Sequence, residues 1–247
     1  SKRLLTCSLC IPDNDPMQKP VVKAILFDLD GTLVDTVEDI RRSLAHALAG
    51  EGLPPPSPDL TQQVVGRGLH NALKGALLWF GRTVGEQRFN QLYQEMLLYY
   101  REHYAVYSHP YEGIERLLQH LQESGYALGV YSNKEDGLTK RIAASLFPGI
   151  RFSWVRGMRE GFPGKPDRSG IDYFCRKTGL ATQEVLYIGD SEVDWQTALN
   201  AGCPHILVSW GFRPKEELLA LQDAVVVDTI HELEDAIYGI QREGFEK

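Results

Sequence analysis

The chain predicts an α/β fold: a parallel-sheet core with helices on both faces, interrupted by an all-helical insert. Three observations lead there. Short, nearly continuous apolar runs recur at residues 21–27, 126–131, 185–188 and 205–208, as expected of buried strands. Amphipathic stretches of helical length separate the later runs, the alternation of a parallel sheet. From residue 37 to residue 107 that rhythm stops and only helical patterns occur.

In chain order, residues 21–27 form the first strand, β-branched and apolar. Thr36 can cap a helix with Ile40, Leu44, Ala47 and Leu48 on one face. Pro54, Pro55, Pro56 and Pro58 break it into a stiff loop, and helical patterns resume over 68–80 and 86–103. This interval reads as an inserted cap, which places the core at 17–35 and 108–247 and the helical cap at 36–107. The core resumes at Pro110 with a helix over 114–122, a strand over 126–131 and a helix over 135–146. A strand near 151–155 follows, then a helix over 169–178 with Gly179 as its C-cap. Strands at 185–188, 205–208 and 225–227, a helix over 193–200 and a last helix from Ile230 complete the core.

Chemistry concentrates where those strands end. Asp28 and Asp30 follow the first strand two residues apart, so both carboxylates can face one way. Gly31 and Thr32 then make a tight turn whose N–H groups can approach an anion. Unpaired buried charge is costly. The pair is therefore either an N-cap with a solvated neighbour or a metal site where one carboxylate attacks phosphorus. The second strand ends in Ser132, Asn133 and Lys134; Lys165-Pro166 follows the loop 161–164; the third ends in Gly189, Asp190, Ser191, Glu192, Val193 and Asp194. In open parallel sheets the C-terminal strand edge is where ligands bind.

Composition narrows the class. A balance of 26 basic and 33 acidic residues gives a net charge of −7, with no basic run or aromatic–basic interleaving, which speaks against nucleic acid as a partner. No apolar segment approaches the ~18 residues of a membrane span, and the expected location is cytoplasmic. Cys175 and Cys203 read as small buried hydrophobes of a reducing compartment. Cys7 and Cys10 have C-x-x-C spacing but no evident second ligand pair for zinc. Residues 1–16 read as a disordered extension, with Met17 a plausible start. No pattern speaks to oligomeric state.

The four fragments, in this order on these strands, resemble the haloacid dehalogenase-like hydrolase superfamily. The placement of the cap is similar to the phosphoglycolate phosphatase and β-phosphoglucomutase branch, and the resemblance covers nearly everything from Lys19 onward. It implies a Rossmann-like core and a Mg²⁺-dependent phosphatase acting on a small phosphorylated metabolite, phosphoglycolate-like, through an aspartyl-phosphate. By that resemblance Asp28 is the nucleophile and Asp30 the general acid and base. Asp28, the Asp30 backbone carbonyl and Asp190 are the metal ligands, with Asp194 near the metal. Ser132, Asn133 and Lys165 bind the phosphate. Asp194 is otherwise a solvated first-turn acid, Lys134 either joins the site or is solvated, and Glu192 faces the surface. Val65-Gly66-Arg67-Gly68-Leu69 is similar to the glycine-flanked cap loop of phosphoglycolate phosphatases. Arg67 there either clamps a substrate carboxylate, setting specificity, or is a solvated loop arginine. Arg168 stands where the family often has a further proline, which bears on loop shape rather than on Lys165. A phosphotransferase of the β-phosphoglucomutase type would use the same motifs. A non-catalytic phosphate-binding module is disfavoured because every charged motif position is occupied, and a dehalogenase because Asp30 is present.

Overall fold

The computed structural model describes residues 21–245, with side chains through residue 240. The expected N-terminal extension and the Cys7/Cys10 pair lie outside the described residues. Strand β1 (Ala24–Phe27) leads through a short β2 (Val34–Asp35) into four helices: α1 (Val37–Ala49), α2 (Pro58–Val64), α3 (Leu69–Trp79) and α4 (Glu86–His103). The chain returns through β3 (His109–Pro110), which pairs antiparallel with β2. Then follow α5 (Ile114–Glu123), β4 (Ala127–Glu135), α6 (Asp136–Leu146), β5 (Phe152–Met158) and α7 (Ser169–Thr178). Last come β6 (Val185–Gly189), α8 (Glu192–Ala201), β7 (His205–Val208), α9 (Lys215–Leu219), β8 (Val226–Val227) and α10 (Ile230–Phe245).

Six strands form one parallel sheet in the order β5-β4-β1-β6-β7-β8. Alternation across β1 explains its apolar run. Ile25 and Phe27 pack on one face with Leu117, Leu118 and Leu233, while Ala24 and Leu26 pack on the other with Ile171, Phe174 and Ala198. A strand covered by helices on both faces has no polar side to show. The helices between β2 and β3 bury their own cluster around Leu44, Leu73, Leu92 and Met96, joined from the sheet side by Leu138 and Phe212. Among the described residues no helix is long and apolar enough to cross a membrane.

Several expectations need correction. The proline tract is not all loop: Ser57 caps α2, accepting from the Leu60 amide at 3.1 Å, and Pro58 opens the helix, where a missing N–H costs nothing. Thr36 precedes α1 but does not cap it. Its hydroxyl donates instead to Asp30 Oδ1 at 2.6 Å, and Asp35 takes the Val37 amide. Strand β4 carries Ser132, Asn133 and Lys134 at its C-terminal end and stops one residue later, at Glu135.

Candidate active site

Strand β1 lies between β4 and β6: the chain passes from β1 to β4 and β5 on one side, then crosses to β6 and β7 on the other, and this reversal opens a crevice at the C-terminal end of β1. Asp28 follows β1, held in register by its amide donating to the Ile188 carbonyl at 2.8 Å. Asp190 follows β6, and β4 carries Ser132 to Lys134 along the opposite side. Gly31 has φ +82°, and a Cβ there would lie 2.3 Å from Asp190 Oδ2. The turn thus needs glycine both for its backbone and for the carboxylate pressed against it.

The charges form an ordered set. Lys165 Nζ is 2.9 Å from Asp28 Oδ1 and 2.7 Å from Asp194 Oδ1. Asp28 Oδ1 also accepts the Leu29 amide at 2.7 Å, which leaves Oδ2 without a hydrogen-bond partner among the described residues. Asp190 accepts from the Thr32 hydroxyl at 3.2 Å and the Phe212 amide at 2.7 Å. Asp30 Oδ1 receives Thr36 and, at 3.1 Å, Lys134 Nζ. Lys134 is buried and also donates to the Tyr100 hydroxyl of α4 at 2.6 Å, so it joins the site rather than the solvent.

Burial, reinforced by Asp194, pushes the Asp190 carboxyl up to about 7. Burial also raises Asp28 well above the carboxylate range; Lys165 opposes that rise, and Asp194 and Asp190 add to it. Both lysines are raised as well, but against burial and toward their charged form. Burial alone would lower them, but Asp194 and Asp28 outweigh it at Lys165, and Asp30 and Tyr100 outweigh it at Lys134. Facing carboxyl oxygens of Asp28, Asp190 and Asp194 lie within 4.8 Å of one another. Such a crowded, buried cluster of carboxylate oxygens fits a hard divalent cation, whose charge would relieve what burial costs it.

Asp194 is fully buried, which removes the reading of a solvated helix-end acid. Both its oxygens are already engaged. Oδ1 accepts from Lys165 and, at 3.1 Å, from the Tyr187 hydroxyl; Oδ2 accepts the Asp190 and Ser191 amides and the Ser191 hydroxyl. It anchors Lys165 and closes the N-terminus of α8. Asn133 also departs from expectation. Its Oδ1 accepts the Lys165 amide at 2.7 Å, and its Nδ2 donates to the carbonyls of Lys165 and Gly66, so its side chain holds the lysine loop instead of pointing free donors at a phosphate. Ser132 Oγ accepts only the Lys134 amide, at 3.2 Å, which leaves its proton to donate.

A cavity of ≈ 20 Å³, room for about one water, lies among these groups under the helical insert. Asp28, Asp30, Ser132, Asn133, Lys134 and Asp190 line its charged end, and Val65, Leu69, Ala72 and Phe212 its apolar end. Arg67 is not part of the lining. Its side chain is 60% exposed and its Nη2 lies 3.5 Å from Glu192 Oε1. Arg213, which sequence reasoning missed, lines the cavity instead. Glu192, expected at the surface, is half-buried between the two arginines. Cys175 and Cys203 are buried free thiols as expected, that of Cys203 pushed up to about 12 by burial.

Known proteins resemble this chain in sequence and fold. A family model described as haloacid dehalogenase-like hydrolase matches residues 25–208. An N-acetylmuramic acid 6-phosphate phosphatase of Pseudomonas aeruginosa is 32% identical, covering 90% of this chain and 97% of that protein. A phosphoglycolate phosphatase of Agrobacterium fabrum is also 32% identical, over 89% and 94% respectively. A solved structure from Lactobacillus delbrueckii subsp. bulgaricus superposes with a TM-score of 0.80 at 30% identity, covering 88% of this chain and 98% of that one.

Proposed function

The chain belongs to the haloacid dehalogenase-like hydrolase family, and from that premise we propose a Mg²⁺-dependent phosphatase that hydrolyses a small phosphorylated acid, phosphoglycolate-like, through an aspartyl-phosphate on Asp28. The observation that carries it is Asp28 with one oxygen held by Lys165 and the other free, beside an acid held by a second lysine. The substrate class rests on the names of two relatives, both of which denote phosphorylated acids. It rests also on the mixed lining of the small cavity.

In this proposal Asp28 and Asp190, with the Asp30 backbone carbonyl, would hold Mg²⁺, which would keep Asp28 ionised and neutralise charge on the approaching phosphate. The free oxygen of Asp28 attacks phosphorus, forming an acyl phosphate as the ester P–O bond breaks. Asp30 gives its proton to the departing oxygen. It then takes a proton from the water that attacks the same phosphorus, and Asp28 is released as carboxylate. Lys165 and the Ser132 hydroxyl hold the phosphate oxygens, and Asn133 keeps Lys165 in place. Lys134 and Thr36 fix one Asp30 oxygen so that the other faces the cavity. Arg67, at the rim, meets the non-phosphate end of the substrate.

Phosphate release from a panel of phosphorylated metabolites tests this. Turnover should appear with Mg²⁺, vanish with EDTA and return on readdition. Undiminished turnover in metal-free protein would overturn the metal role. Interconversion of a sugar phosphate without phosphate release would make the protein a phosphotransferase.

A further inference from the structure

Beyond β7 the chain turns back across the site and brings Arg213 to it. The guanidinium joins three segments. Nε donates to Glu192 Oε2 at 2.9 Å, Nη1 to the Gln62 carbonyl at 2.8 Å, and Nη2 to the Val65 carbonyl at 2.8 Å. Gln62 is in the last turn of α2 and Val65 follows that helix, where carbonyls lack partners of their own and a cation is favoured. Glu192 opens α8, two residues beyond Asp190. The next carbonyl, of Gly66, is held by Asn133 Nδ2 at 3.2 Å. Two consecutive carbonyls of the loop over the site are therefore pinned by side chains from the sheet side. Gly66 has φ +117°, and a Cβ there would stand 3.1 Å from Arg213 Nη2, so the loop's shape and the arginine's path are matched.

We propose that Arg213 is a positioning residue that latches the loop 65–68 shut over the phosphate site, braced by Glu192 on the turn that carries Asp190. A planar fork with several donors can hold two carbonyls and a carboxylate at once; an ammonium cannot match that geometry. Arg67 adds only an exposed second arm to Glu192. The proposal rests on the reading of this crevice as a phosphate-ester site. A latch acts on the closed population rather than on the chemistry. Losing it raises the apparent KM by the reciprocal of the fraction still closed and leaves kcat nearly intact. The effect is blind to the organic half of the substrate.

Two readouts on the full chain test this with Arg213→Met, Arg213→Lys and Glu192→Gln. Hydrogen exchange of amides 62–69, measured without substrate, should quicken in all three and most in Arg213→Met. KM should rise about 10-fold or more in Arg213→Met, equally for a carboxylate-bearing ester and an aryl phosphate, with kcat within about 3-fold. Unchanged exchange and KM would overturn the latch. So would a loss confined to the carboxylate-bearing ester, because Arg213 would then touch substrate directly. Quickened exchange through the central sheet, with kcat and stability falling together, would make Arg213 merely structural and also overturn it. Should Arg213→Met fail to fold, the milder Glu192→Gln and Arg213→Lys carry the same comparison. If the wild-type protein hydrolyses no phosphate ester, the functional reading fails while the exchange result still decides the latch.

Discussion

Asp28 and Asp30 leave the same strand end, yet each is held by a different lysine: Lys165 from a distant loop, Lys134 from the neighbouring strand. In the proposed mechanism that division would let one act as nucleophile and the other as acid and base. Asp28→Asn should abolish turnover with the fold retained, since an amide cannot form the acyl phosphate. Asp30→Asn should cost on the order of 10²–10⁴ in kcat, the usual worth of a general acid or base. Single-turnover phosphate release checks both, and near wild-type turnover by Asp28→Asn would end the covalent mechanism. Arg67→Ala should lower kcat/KM selectively for carboxylate-bearing esters. Its stability effect should stay within about 1 kcal/mol, as befits an exposed ion pair. Equal losses on an aryl phosphate would show that Arg67 serves the phosphate or the loop. The motif residues were legible because the chain itself spaces them at strand ends. Lys134 was ambiguous and Arg213 invisible, because their partners Tyr100 and Val65 are 34 and 148 residues away.

At the scale of elements, the two connections between sheet and helical insert are tied together by one buried acid. Asp39, in the first turn of α1, accepts the amides of Tyr107 and Ser108 and the Ser108 hydroxyl, the last at 2.6 Å. Asp39→Ala should destabilise by roughly 2–4 kcal/mol, because each buried donor left unpaired costs ~1–3 kcal/mol. Denaturant unfolding measures this, and a loss under about 1 kcal/mol would mean that water replaces the carboxylate. Helices with a full apolar stripe, such as α4 and α7, were readable to their ends from periodicity. The short α2 and α9 and the two-residue strands β2 and β3 were not. Elements that brief complete too few periods to signal themselves, and what holds them is contact with other elements.

For the whole molecule, the acidic cluster should make stability depend on pH and, through the proposed metal site, on metal. The Asp190 carboxyl sits near 7, and Asp28 is shifted the same way. Without metal, the native state keeps protons that the unfolded chain loses near pH ~4. Stability therefore falls as pH rises from there toward the native value, and the loss is complete above it. Since a cation binds the ionised forms, Mg²⁺ should raise the melting temperature more at pH 8 than at pH 5. An equal rise at both would mean that it binds elsewhere. Sequence alone determined the class of fold, the helical insert and the acidic positions at strand ends. These follow from apolar period and from spacing along one strand or turn, which are local properties of the chain. Tertiary structure alone decided that Asp194 anchors Lys165, that Asn133 holds the lysine loop, and that Arg213 rather than Arg67 reaches the cavity. Those contacts depend on a sheet whose order, β5-β4-β1-β6-β7-β8, is not chain order, and on helices folded back over its edge.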